Sequence, residues 1–550
     1  MRRLSRPLEQ IQSSYDAIIV GSGYGGGVSA ARLSRAGLKV AVLERGREFV
    51  TGEFPAKFPD IRNNFRVSRN KLTTGPENAL YDVRLGEDMH ILVGCGLGGG
   101  SLVNAGVALR PDKRVFDDPV WPGQLKQDGL IDEGYRRAAR WLRPTAHAGA
   151  DKLDKFKAFR QVSDALGVPP SKAPVVVSFE ANTNPAGIAQ PACTQCGDCM
   201  AGCNVGAKNT VAMTYLPFAE AHGAEIFTNV PVSHIARGAD GVWSVHVTPL
   251  EAGRKGNREI VLRAPVVILA AGTLGSTEIL LRSRERGLAV SDELGARFSA
   301  NGDIVAFGYG SKLPINAIGV GHPAKIEGAI VGAAVSGQID ITDAANLAHE
   351  MHIQEGAMPS ALAPALPLMF LPNGRLLGAL QSLISGVYKG PFAGLQMFFA
   401  VGHDTAAGRF QLTDDRLALS WPDAKDQPVY ARLDKALEAL VERAGGSYVK
   451  NPLAGTVMGH QPATAHPLGG CGMAADRSAG VVDHKGRVFD GRTGVGSTDV
   501  HGGLYVIDGS IIPRSLGVNP LLTITALAER AMLHFARDNK LAADDVPTAV

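Results

Sequence analysis

The chemistry in this 550-residue sequence is concentrated in one histidine and one run of cysteines. His466 is followed at once by a proline- and glycine-rich turn, residues 467–470 (PLGG). An imidazole can accept or share a proton near neutral pH, which suits it to general acid–base catalysis. A single histidine among 14 is more often structural, and the turn beside it is what singles His466 out. We therefore treat His466 as the candidate catalytic base.

The cysteine run has a spacing that suits metal binding. Cys193, Cys196, Cys199 and Cys203 form the pattern C-x2-C-x2-C-x3-C. This is the spacing of a bacterial ferredoxin run, in which thiolates hold iron–sulfur clusters. Asn204 stands where such runs usually have proline, and no second run completes a two-cluster arrangement. Zinc sites normally separate two cysteine pairs by a dozen or more residues, so zinc fits poorly. The run predicts an iron–sulfur cluster, with packed free thiols or a structural zinc as alternatives.

A glycine-rich turn near the amino terminus is typical of dinucleotide-binding sites. Residues 21–26 (GSGYGG) follow a short apolar run and begin a pattern of small and apolar residues that predicts a helix. In such turns Gly21 allows the sharp bend, Gly23 lets the backbone approach a pyrophosphate, and Gly26 lets the helix pack on the strand. Glu44 ends the next strand, at the distance expected of a carboxylate that binds a ribose hydroxyl. An acidic residue there would repel a 2′-phosphate, so the sequence favours FAD or NAD over NADP.

The elements that must position these residues fall into two kinds of region. Buried strands that end in glycine-rich loops are typical of nucleotide-binding folds, and they occur at 15–45, 91–101, 266–272 and 504–509. Short alternating apolar runs fill the middle of the chain and predict antiparallel strands. We therefore expect an α/β protein in which residues 1–285 and 455–550 form one Rossmann-like, FAD-binding domain, with a cysteine-rich insert near 190–205. Residues 286–454 would form an inserted α+β substrate domain on a mainly antiparallel sheet, and the polar stretch 46–85 would be irregular.

The composition excludes several classes of protein. Hydrophobic residues make up 45% and charged residues 20% of the chain, and the net charge is +3. Without a lysine-rich stripe, this charge gives no basis for nucleic-acid binding. No apolar run approaches the roughly 18 residues of a membrane-spanning helix. The basic start of the chain lacks the apolar stretch of an export signal, so we expect a cytoplasmic protein in a reducing compartment.

Four segments together resemble the glucose–methanol–choline (GMC) flavin oxidoreductases, and within them the sterol oxidase-like branch. In chain order they are 21–26 (GSGYGG), 93–104 (VGCGLGGGSLVN), 464–471 (TAHPLGGC) and 518–530 (VNPLLTITALAER). The resemblance implies FAD as the cofactor. It also implies that the second segment passes along the flavin and that late residues approach its ribityl or pyrophosphate part. The contacts implied in this way are Gly98, Gly99, Ser101, Asn104, Asp508, Gly509 and Pro520.

The resemblance further implies the roles of the reacting residues. His466 would accept or share the hydroxyl proton of an alcohol, and Asn519 would point toward substrate and flavin. The place of Asn519 before Pro520 equally suits a helix N-cap. In sterol oxidases a glutamate of the substrate domain also moves a proton during a double-bond shift. The similar segment here places Gln354 at that position and Glu355 one residue later. Because one residue turns a strand side chain to the opposite face, Glu355 is equally well a catalytic base or a solvated surface residue.

These observations predict FAD-dependent oxidation of a hydrophobic secondary alcohol, such as a 3β-hydroxysteroid, to the ketone. One alternative is a dehydrogenase for a sugar or aromatic alcohol that passes electrons through the cysteine run; another is a non-catalytic electron-transfer subunit. Without a cluster, oxygen is the expected electron acceptor. With a cluster, electrons would pass through it to a carrier. In the resembled superfamily, an iron–sulfur cluster is known near this place in a glucose dehydrogenase branch. Residues 357–387 are apolar and broken by prolines. They suit a lid over a bulky substrate, a transient contact with a membrane surface, or a buried loop of the substrate domain.

Overall fold

The structure is a computed structural model, and it describes residues 2–367, 386–450 and 461–542. At its centre is a six-stranded sheet, called the parallel sheet below. Five of its strands run parallel, and the edge strand Arg487–Phe489 runs antiparallel. Across the sheet the strands are Glu225–Thr228, Val40–Glu44, Ala17–Val20, Val266–Leu269, Val500–Val506 and Arg487–Phe489. Strand Ala17–Val20 is apolar and buried throughout, as expected of a parallel strand that is covered on both faces.

Two layers cover the parallel sheet. Ile19 faces the first layer, and its neighbours Ile18 and Val20 face the second. The first layer consists of the helices Tyr24–Arg35, Leu130–Leu142, Tyr215–Ala221 and Leu521–Asp538. The second layer consists of the helix Gly272–Glu285 and the strands Val232–Arg237, Trp243–Val247 and Ile260–Ala264. This arrangement confirms the predicted Rossmann-like fold.

A second six-stranded sheet, called the antiparallel sheet below, stands beside the first. Its strands, in spatial order, are Ser447–Lys450, Ile304–Tyr309, Gln396–Gly402, Met351–Gly356, Gly337–Ile341 and Ser171–Lys172. The helices Pro428–Arg443 and Asp154–Val162 pack on one face, where Ile353 and Phe398 are buried. The sheet confirms the predicted antiparallel substrate domain. Because the helix Asp154–Val162 and the strand Ser171–Lys172 lie with it, the chain reaches this sheet well before residue 286.

A five-stranded sheet lies in the stretch that the sequence predicted to be irregular. Its strands are Ala463–Thr464, His90–Gly94, Tyr81–Leu85, Phe65–Arg69 and Leu72–Thr74. The prediction for 46–85 was wrong because the strand Phe65–Arg69 is only half-buried and carries polar residues on both sides of its pleat. Its partner Tyr81–Leu85 leads into the second glycine-rich loop through the strand His90–Gly94, so this small sheet positions that loop.

Smaller elements complete the described chain. The hairpin Arg409–Thr413 and Arg416–Ser420 packs near the helix Gly272–Glu285. Two further helices are short, Phe58–Ile61 and Gln124–Gln127. Two-residue strands occur at Thr145–Ala146, Pro174–Val175, Asn182–Thr183, Ala189–Gln190, Leu250–Glu251 and Arg254–Lys255. Within the described ranges, every helix is too short or too polar to cross a bilayer.

The apolar segment 357–387 is only partly described. Residues 368–385 lie outside the described residues. Within the described part, Met358 and Leu366 are buried in one cluster with Phe307 and Met397 of the antiparallel sheet. This half packs as a buried loop, and the predictions of a lid and of membrane contact remain predictions.

The strand Met351–Gly356 overturns the prediction of a catalytic Glu355. Side chains alternate between the two faces of a strand, so Gln354 and Glu355 point in opposite directions. Glu355 points to the helix-covered face, where its carboxylate lies 2.8 Å from Nζ of Lys155, and both side chains are buried. It also accepts hydrogen bonds from the main-chain N–H groups of Ser336 and Gly337, at 2.8 Å each. Glu355 is therefore part of a structural ion pair, neither catalytic nor solvated.

The buried pair gives a test of the fold. We expect Lys155→Met to destabilise the protein by about 3–5 kcal/mol, because the Glu355 carboxylate would stay buried without its counter-charge. The double substitution Lys155→Met with Glu355→Leu should regain most of that loss, since it removes both charges. Urea unfolding followed by fluorescence measures both variants. A single substitution that costs less than about 1 kcal/mol would contradict the ion-pair account.

Candidate active site

A large cavity lies between the parallel and antiparallel sheets, and three helices begin at its wall. Its volume is about 1730 Å³, more than the roughly 300–1,000 Å³ of an ordinary small-molecule site. The helices are Tyr24–Arg35, Gly272–Glu285 and Leu521–Asp538, and the first residues of each line the cavity. Helix amino termini present unpaired N–H groups and partial positive charge. The cavity therefore has room for a large, anionic ligand together with a second molecule.

The glycines of the first turn are needed for different steric reasons. Gly21 has φ +94°, and a Cβ there would lie 2.4 Å from the carbonyl oxygen of Ala270 on the neighbouring strand. At Gly26 a Cβ would lie 2.0 Å from the carbonyl oxygen of Gly21, so only glycine allows the helix to approach the turn. At Gly23 a Cβ would meet nothing within 4 Å. Gly23 lines the cavity, which leaves its backbone accessible to a ligand.

Glu44 is fixed at the cavity wall by the same turn. Its Oε2 accepts hydrogen bonds from the hydroxyl and the main-chain N–H of Ser22, at 2.5 and 3.1 Å. Its Oε1 accepts one from the main-chain N–H of Gly46, at 2.7 Å. The side chain is buried and lines the cavity. A carboxylate held in this way presents a fixed acceptor for a ligand hydroxyl.

The second glycine-rich loop lies directly against the first. A Cβ on Gly99 would lie 2.9 Å from Cα of Gly23, and the N–H of Gly98 donates to the Ser22 hydroxyl at 2.9 Å. Gly99 lines the cavity, whereas Gly98 lies behind its wall. The two loops thus form one continuous backbone surface, which a side chain at position 99 would separate.

Ser101 does not lie beside the cavity, where the sequence placed it as a ligand contact. Its hydroxyl donates to the carbonyl oxygen of Gly98 at 2.6 Å and accepts from the N–H of Val211 at 3.0 Å. The side chain is fully buried and lies outside the residues that line the cavity. Ser101 therefore fixes the shape of the loop, because its short hydroxyl finds protein partners on the inner side.

Asn104 is the polar side chain that this loop directs toward the cavity. Its Nδ2 donates to the hydroxyl of Tyr24 at 2.8 Å, which fixes the amide. Its Oδ1 is buried and has no hydrogen-bond partner within the described chain. A buried acceptor without a partner is costly. A ligand N–H or O–H in the cavity would satisfy it.

Asp508 and Gly509 line the cavity, but the Asp508 carboxylate is directed at the protein. Its Oδ2 accepts from the N–H of Gly272 and the hydroxyl of Ser276, at 2.9 and 2.6 Å. Its Oδ1 accepts from the N–H and hydroxyl of Ser510, at 2.8 and 2.5 Å. Burial raises the pKa of Asp508. Because four protein donors bind its two oxygens, the Asp508 carboxylate fixes the start of the helix Gly272–Glu285. Neither oxygen is free for the contact with a ligand that the sequence predicted.

The candidate base His466 is held by Asp303, a residue that sequence reasoning missed. Ring Nδ1 lies 2.7 Å from Asp303 Oδ1. The other carboxylate oxygen accepts from the Thr464 hydroxyl and from the N–H groups of Ala465 and His466, at 2.9 to 3.0 Å. A carboxylate at Nδ1 favours the tautomer with a free lone pair on Nε2. Asp303 precedes the strand Ile304–Tyr309 and lies 163 residues from the histidine, so no local spacing points to it.

Asn519 and Gln354 extend this arrangement along the cavity. Nδ2 of Asn519 lies 3.5 Å from Nε2 of His466, and Nε2 of Gln354 donates to Oδ1 of Asn519 at 2.5 Å. Pro520 occupies the N-cap position of the helix Leu521–Asp538, and the Asn519 side chain is bound to Gln354 and His466 instead, so the cap alternative is wrong. Oε1 of Gln354 is buried without a partner in the described residues. Gln354, Asn519 and His466 all line the cavity, and Pro520 lies there as well.

A single loop positions both His466 and Asn519. Within residues 299–303, Asn301 accepts hydrogen bonds from the N–H groups of Leu516 and Gly517 and donates to the carbonyl oxygen of Val518. Those contacts hold the segment that ends at Asn519, just as Asp303 holds His466. The two reacting side chains are therefore aligned by residues two positions apart.

The antiparallel sheet gives this end of the cavity an apolar wall. The side chains that line it here are Val305, Phe307, Met358, Leu362, Met397 and Phe399. Gln354 is the polar residue that the same sheet adds among them. A wall of this kind favours an apolar ligand with one polar group placed at His466 and Asn519.

The four cysteines of the run also lie together. All of them line a small enclosed space next to Lys208, which is separate from the large cavity. They are free thiols, and burial raises the pKa of the Cys196 thiol to about 12.

The sequence matches known proteins along most of its length. The amino-terminal family model of the GMC oxidoreductases matches residues 15–300, and the carboxy-terminal one matches 450–528. A cholesterol oxidase of Acinetobacter baumannii is 30% identical, over 96% of this chain and 95% of its own. A long-chain-alcohol oxidase of Arabidopsis thaliana is 26% identical, over 93% of this chain and 66% of its own.

Among solved structures, a fungal aryl-alcohol oxidase superposes with a TM-score of 0.60 at 14% identity, covering 96% of this chain and all of that one. A pyridoxine 4-oxidase from "Mesorbium loti" superposes with a TM-score of 0.59 at 16% identity, covering 95% of this chain and 99% of that one. At these identities the two structures show a shared fold. The family models and the full-length relatives show more: this chain belongs to the GMC oxidoreductase family.

Proposed function

We propose that this enzyme oxidises a hydrophobic secondary alcohol, of the 3β-hydroxysteroid type, to the ketone with FAD as hydride acceptor. The observation that carries the proposal is the pair His466 and Asn519, placed where the cavity changes from a glycine-lined surface to an apolar wall. As a member of its family, the enzyme acts on CH–OH groups.

The residues at the glycine-lined end suit FAD, which GMC oxidoreductases bind. Gly23, Gly100 and Gly272 line the cavity at positions where a Cβ would meet nothing within 4 Å, so backbone is accessible there. The helix Tyr24–Arg35 would hold the pyrophosphate at its amino terminus, and Glu44 would hold the ribose. Asn104 lines the cavity and would present its amide group to the flavin. Bound FAD would supply the hydride acceptor, a role that no side chain can fill.

The reacting residues have complementary parts. His466 Nε2 would accept the hydroxyl proton as the alcohol becomes a ketone. Asp303 holds the ring with Nδ1 toward its carboxylate, which leaves Nε2 facing the substrate, and it would stabilise the charged imidazolium once the proton has moved. Asn519 would donate to the alcohol oxygen through Nδ2, and Gln354 fixes its orientation by donating to Oδ1. Together these four side chains orient the alcohol and give its hydroxyl proton an acceptor.

The apolar wall supports a bulky hydrophobic substrate over a sugar. A sugar presents several hydroxyl groups, each of which requires a partner when it is buried. In the described part of the antiparallel sheet, Gln354 is the polar side chain that lines the cavity beside Phe307 and Phe399. The named activities of the sequence relatives, on cholesterol and long-chain alcohols, share this apolar character.

A panel of alcohols tests the proposal. Under anaerobic conditions we expect a 3β-hydroxysteroid to bleach the flavin absorbance, and a long-chain primary alcohol, an aryl alcohol and glucose to bleach it far more slowly. If one of the other three alcohols bleached the flavin and the steroid did not, the proposed steroid substrate would be wrong and that alcohol's class would take its place. No bleaching by any of the four, in protein that contains FAD, would remove the proposed alcohol oxidation.

The His466–Asp303 pair gives a second prediction. His466→Ala should slow flavin reduction by about 100-fold or more, because the hydroxyl proton loses its acceptor. Asp303→Asn should slow it by at least about 10-fold, as expected when the group that orients a reacting histidine is changed. Stopped-flow absorbance measures both at equal FAD content. The exposed pair His349 and Asp343, whose atoms lie 3.0 Å apart, provides a matched control in His349→Ala. Rates near wild type for His466→Ala would exclude it as the base.

Gln354 bears on the fate of an unsaturated steroid ketone. An amide accepts no proton at neutral pH, and Glu355 is bound to Lys155 on the opposite face. We therefore propose that the enzyme releases the ketone without shifting its double bond. Gln354→Glu should raise the conjugated fraction of the product, measured by ultraviolet absorbance, and Glu355→Gln should leave that fraction unchanged. A conjugated ketone as the main wild-type product would contradict this.

Oxygen and an electron carrier are the two candidate electron acceptors. Relatives named as oxidases favour oxygen. The gathered cysteines favour the alternative of a dehydrogenase that also carries an iron–sulfur cluster.

A further inference from the structure

The cysteine run forms a compact site next to the second glycine loop. Cys193, Cys196, Cys199 and Cys203 line one enclosed space of about 20 Å³, and Lys208 lines it with them. All four thiols come from one short segment of the chain, and they line the same space. Such a convergence of free thiols has no role in the alcohol site described above.

The segment is attached to its surroundings at the residue that departs from the ferredoxin pattern. Oδ1 of Asn204 accepts from the N–H groups of Gly52 and Phe54, and its Nδ2 donates to the carbonyl oxygen of Phe54. The hydroxyl of Tyr81 donates to the carbonyl oxygen of Met200 at 2.8 Å. Asn204 therefore fixes the end of the run by side-chain hydrogen bonds, where proline would fix it by its ring.

The spacing of the sulfur atoms speaks against zinc. Tetrahedral zinc with Zn–S bonds of about 2.3 Å places its thiolate sulfurs about 3.8 Å apart. In the described chain, no three of these thiols lie within 4.8 Å of one another, whereas a carboxylate and two histidines elsewhere do. In a [4Fe–4S] cluster each thiolate binds a different iron atom, so its four sulfur ligands lie farther apart than those of zinc.

Lys208 supplies a charge that this site must balance. Its side chain is buried, and its Nζ donates to the carbonyl oxygens of Leu102, Asn104 and Cys199, at 3.2, 2.6 and 3.1 Å. No carboxylate of the described residues forms an ion pair with it. Asp198 lines the same space, but its carboxylate accepts hydrogen bonds from the N–H and hydroxyl of Ser360. A buried ammonium group without a counter-charge is costly, and thiolates can supply one once a metal displaces their protons.

Two main-chain amides are directed at the sulfur atoms. The N–H of Gln195 donates to Sγ of Cys193 at 3.3 Å, and the N–H of Ala334 donates to Sγ of Cys199 at 3.4 Å. Gln195 has φ +59°, an uncommon conformation for a residue with a side chain. Hydrogen bonds to sulfur tune and stabilise cluster thiolates.

We propose that Cys193, Cys196, Cys199 and Cys203 bind an iron–sulfur cluster, with Lys208 as the buried counter-charge of its thiolates. The enclosed space is about that of a single water molecule. Cys193, Cys196 and Cys203 are only half-buried, so iron and sulfide can reach these thiols from solvent.

Lys208 also places the cluster next to the cofactor. The same ammonium group that contacts the cysteine segment binds the carbonyl oxygens of Leu102 and Asn104, and Asn104 lines the large cavity. The cluster site and the cofactor cavity thus share one loop. The site goes beyond the proposed alcohol oxidation, and its failure would leave that oxidation intact.

The test is an iron and acid-labile sulfide analysis of the full chain, purified without oxygen from iron-supplemented cells. We expect both elements in amounts near one cluster per FAD, together with an absorbance that dithionite bleaches. Cys199→Ser should lose at least half of the iron while its FAD content stays at the wild-type level. Cys471→Ala, which removes a buried thiol outside the run, should keep all of it.

Iron removal from the wild-type protein by a chelator, followed by reloading with iron and sulfide, covers the case in which Cys199→Ser does not fold. Regained iron, sulfide and absorbance support the proposal. Protein that contains FAD but neither holds nor regains iron overturns it, and so does stoichiometric zinc in place of iron.

Lys208 has its own readout. Lys208→Met should keep the iron and shift the reduction potential of the cluster to a more negative value, because the reduced, more negative state loses its nearby positive charge. Lys208→Arg should restore most of the shift. An unchanged potential in Lys208→Met, with iron retained, would remove Lys208 as the counter-charge.

Discussion

The carboxylate of Asp303 is the interaction on which the centre of this molecule depends. One oxygen binds the His466 ring, and the other binds the Thr464 hydroxyl and two main-chain N–H groups of the same turn. Asp303 stands at the start of a strand of the antiparallel sheet. A charged acceptor that holds ring and backbone together fixes the histidine relative to the wall that would contact substrate. The Asp303 carboxylate thus joins the turn that carries His466 to the antiparallel sheet.

The surrounding elements follow from that requirement. Asn301 holds the segment before Asn519 and lies two residues from Asp303, so one loop sets the distance between the two reacting side chains. That loop is itself held by Asp404, which accepts from the Ser299 hydroxyl and the Gly302 N–H at 2.7 and 3.0 Å. On the cofactor side, glycines let two loops touch where any Cβ would separate them. A rigid arrangement of this kind is what catalysis by orientation demands.

Much of the fold was predictable because local patterns carry it. The turn at Gly21, the buried strand after it and the glycine-rich loop near Gly99 each depend on neighbours in sequence, and they led to the correct fold and family. Asp303 was not predictable, since its partner lies 163 residues away and an isolated aspartate before a strand has no distinctive spacing. The side chains of Ser101 and Asp508 were assigned to the ligand, whereas protein donors and acceptors satisfy them from the other side. Strand alternation showed that Gln354 and Glu355 must face opposite sides of the sheet. Only the ion pair of Glu355 with Lys155 shows that Gln354 is the one that faces the cavity.

The central claim is that His466 and Asn519 together bind the hydroxyl oxygen of an apolar alcohol. A crystal structure of the FAD-loaded enzyme with a bound, non-reacting 3β-hydroxysteroid analogue tests it most directly. The account predicts the hydroxyl oxygen within about 3.2 Å of both His466 Nε2 and Asn519 Nδ2, with the ring system against Phe307 and Phe399. A hydroxyl bound elsewhere in the cavity, with His466 contacting only Asp303, would contradict it.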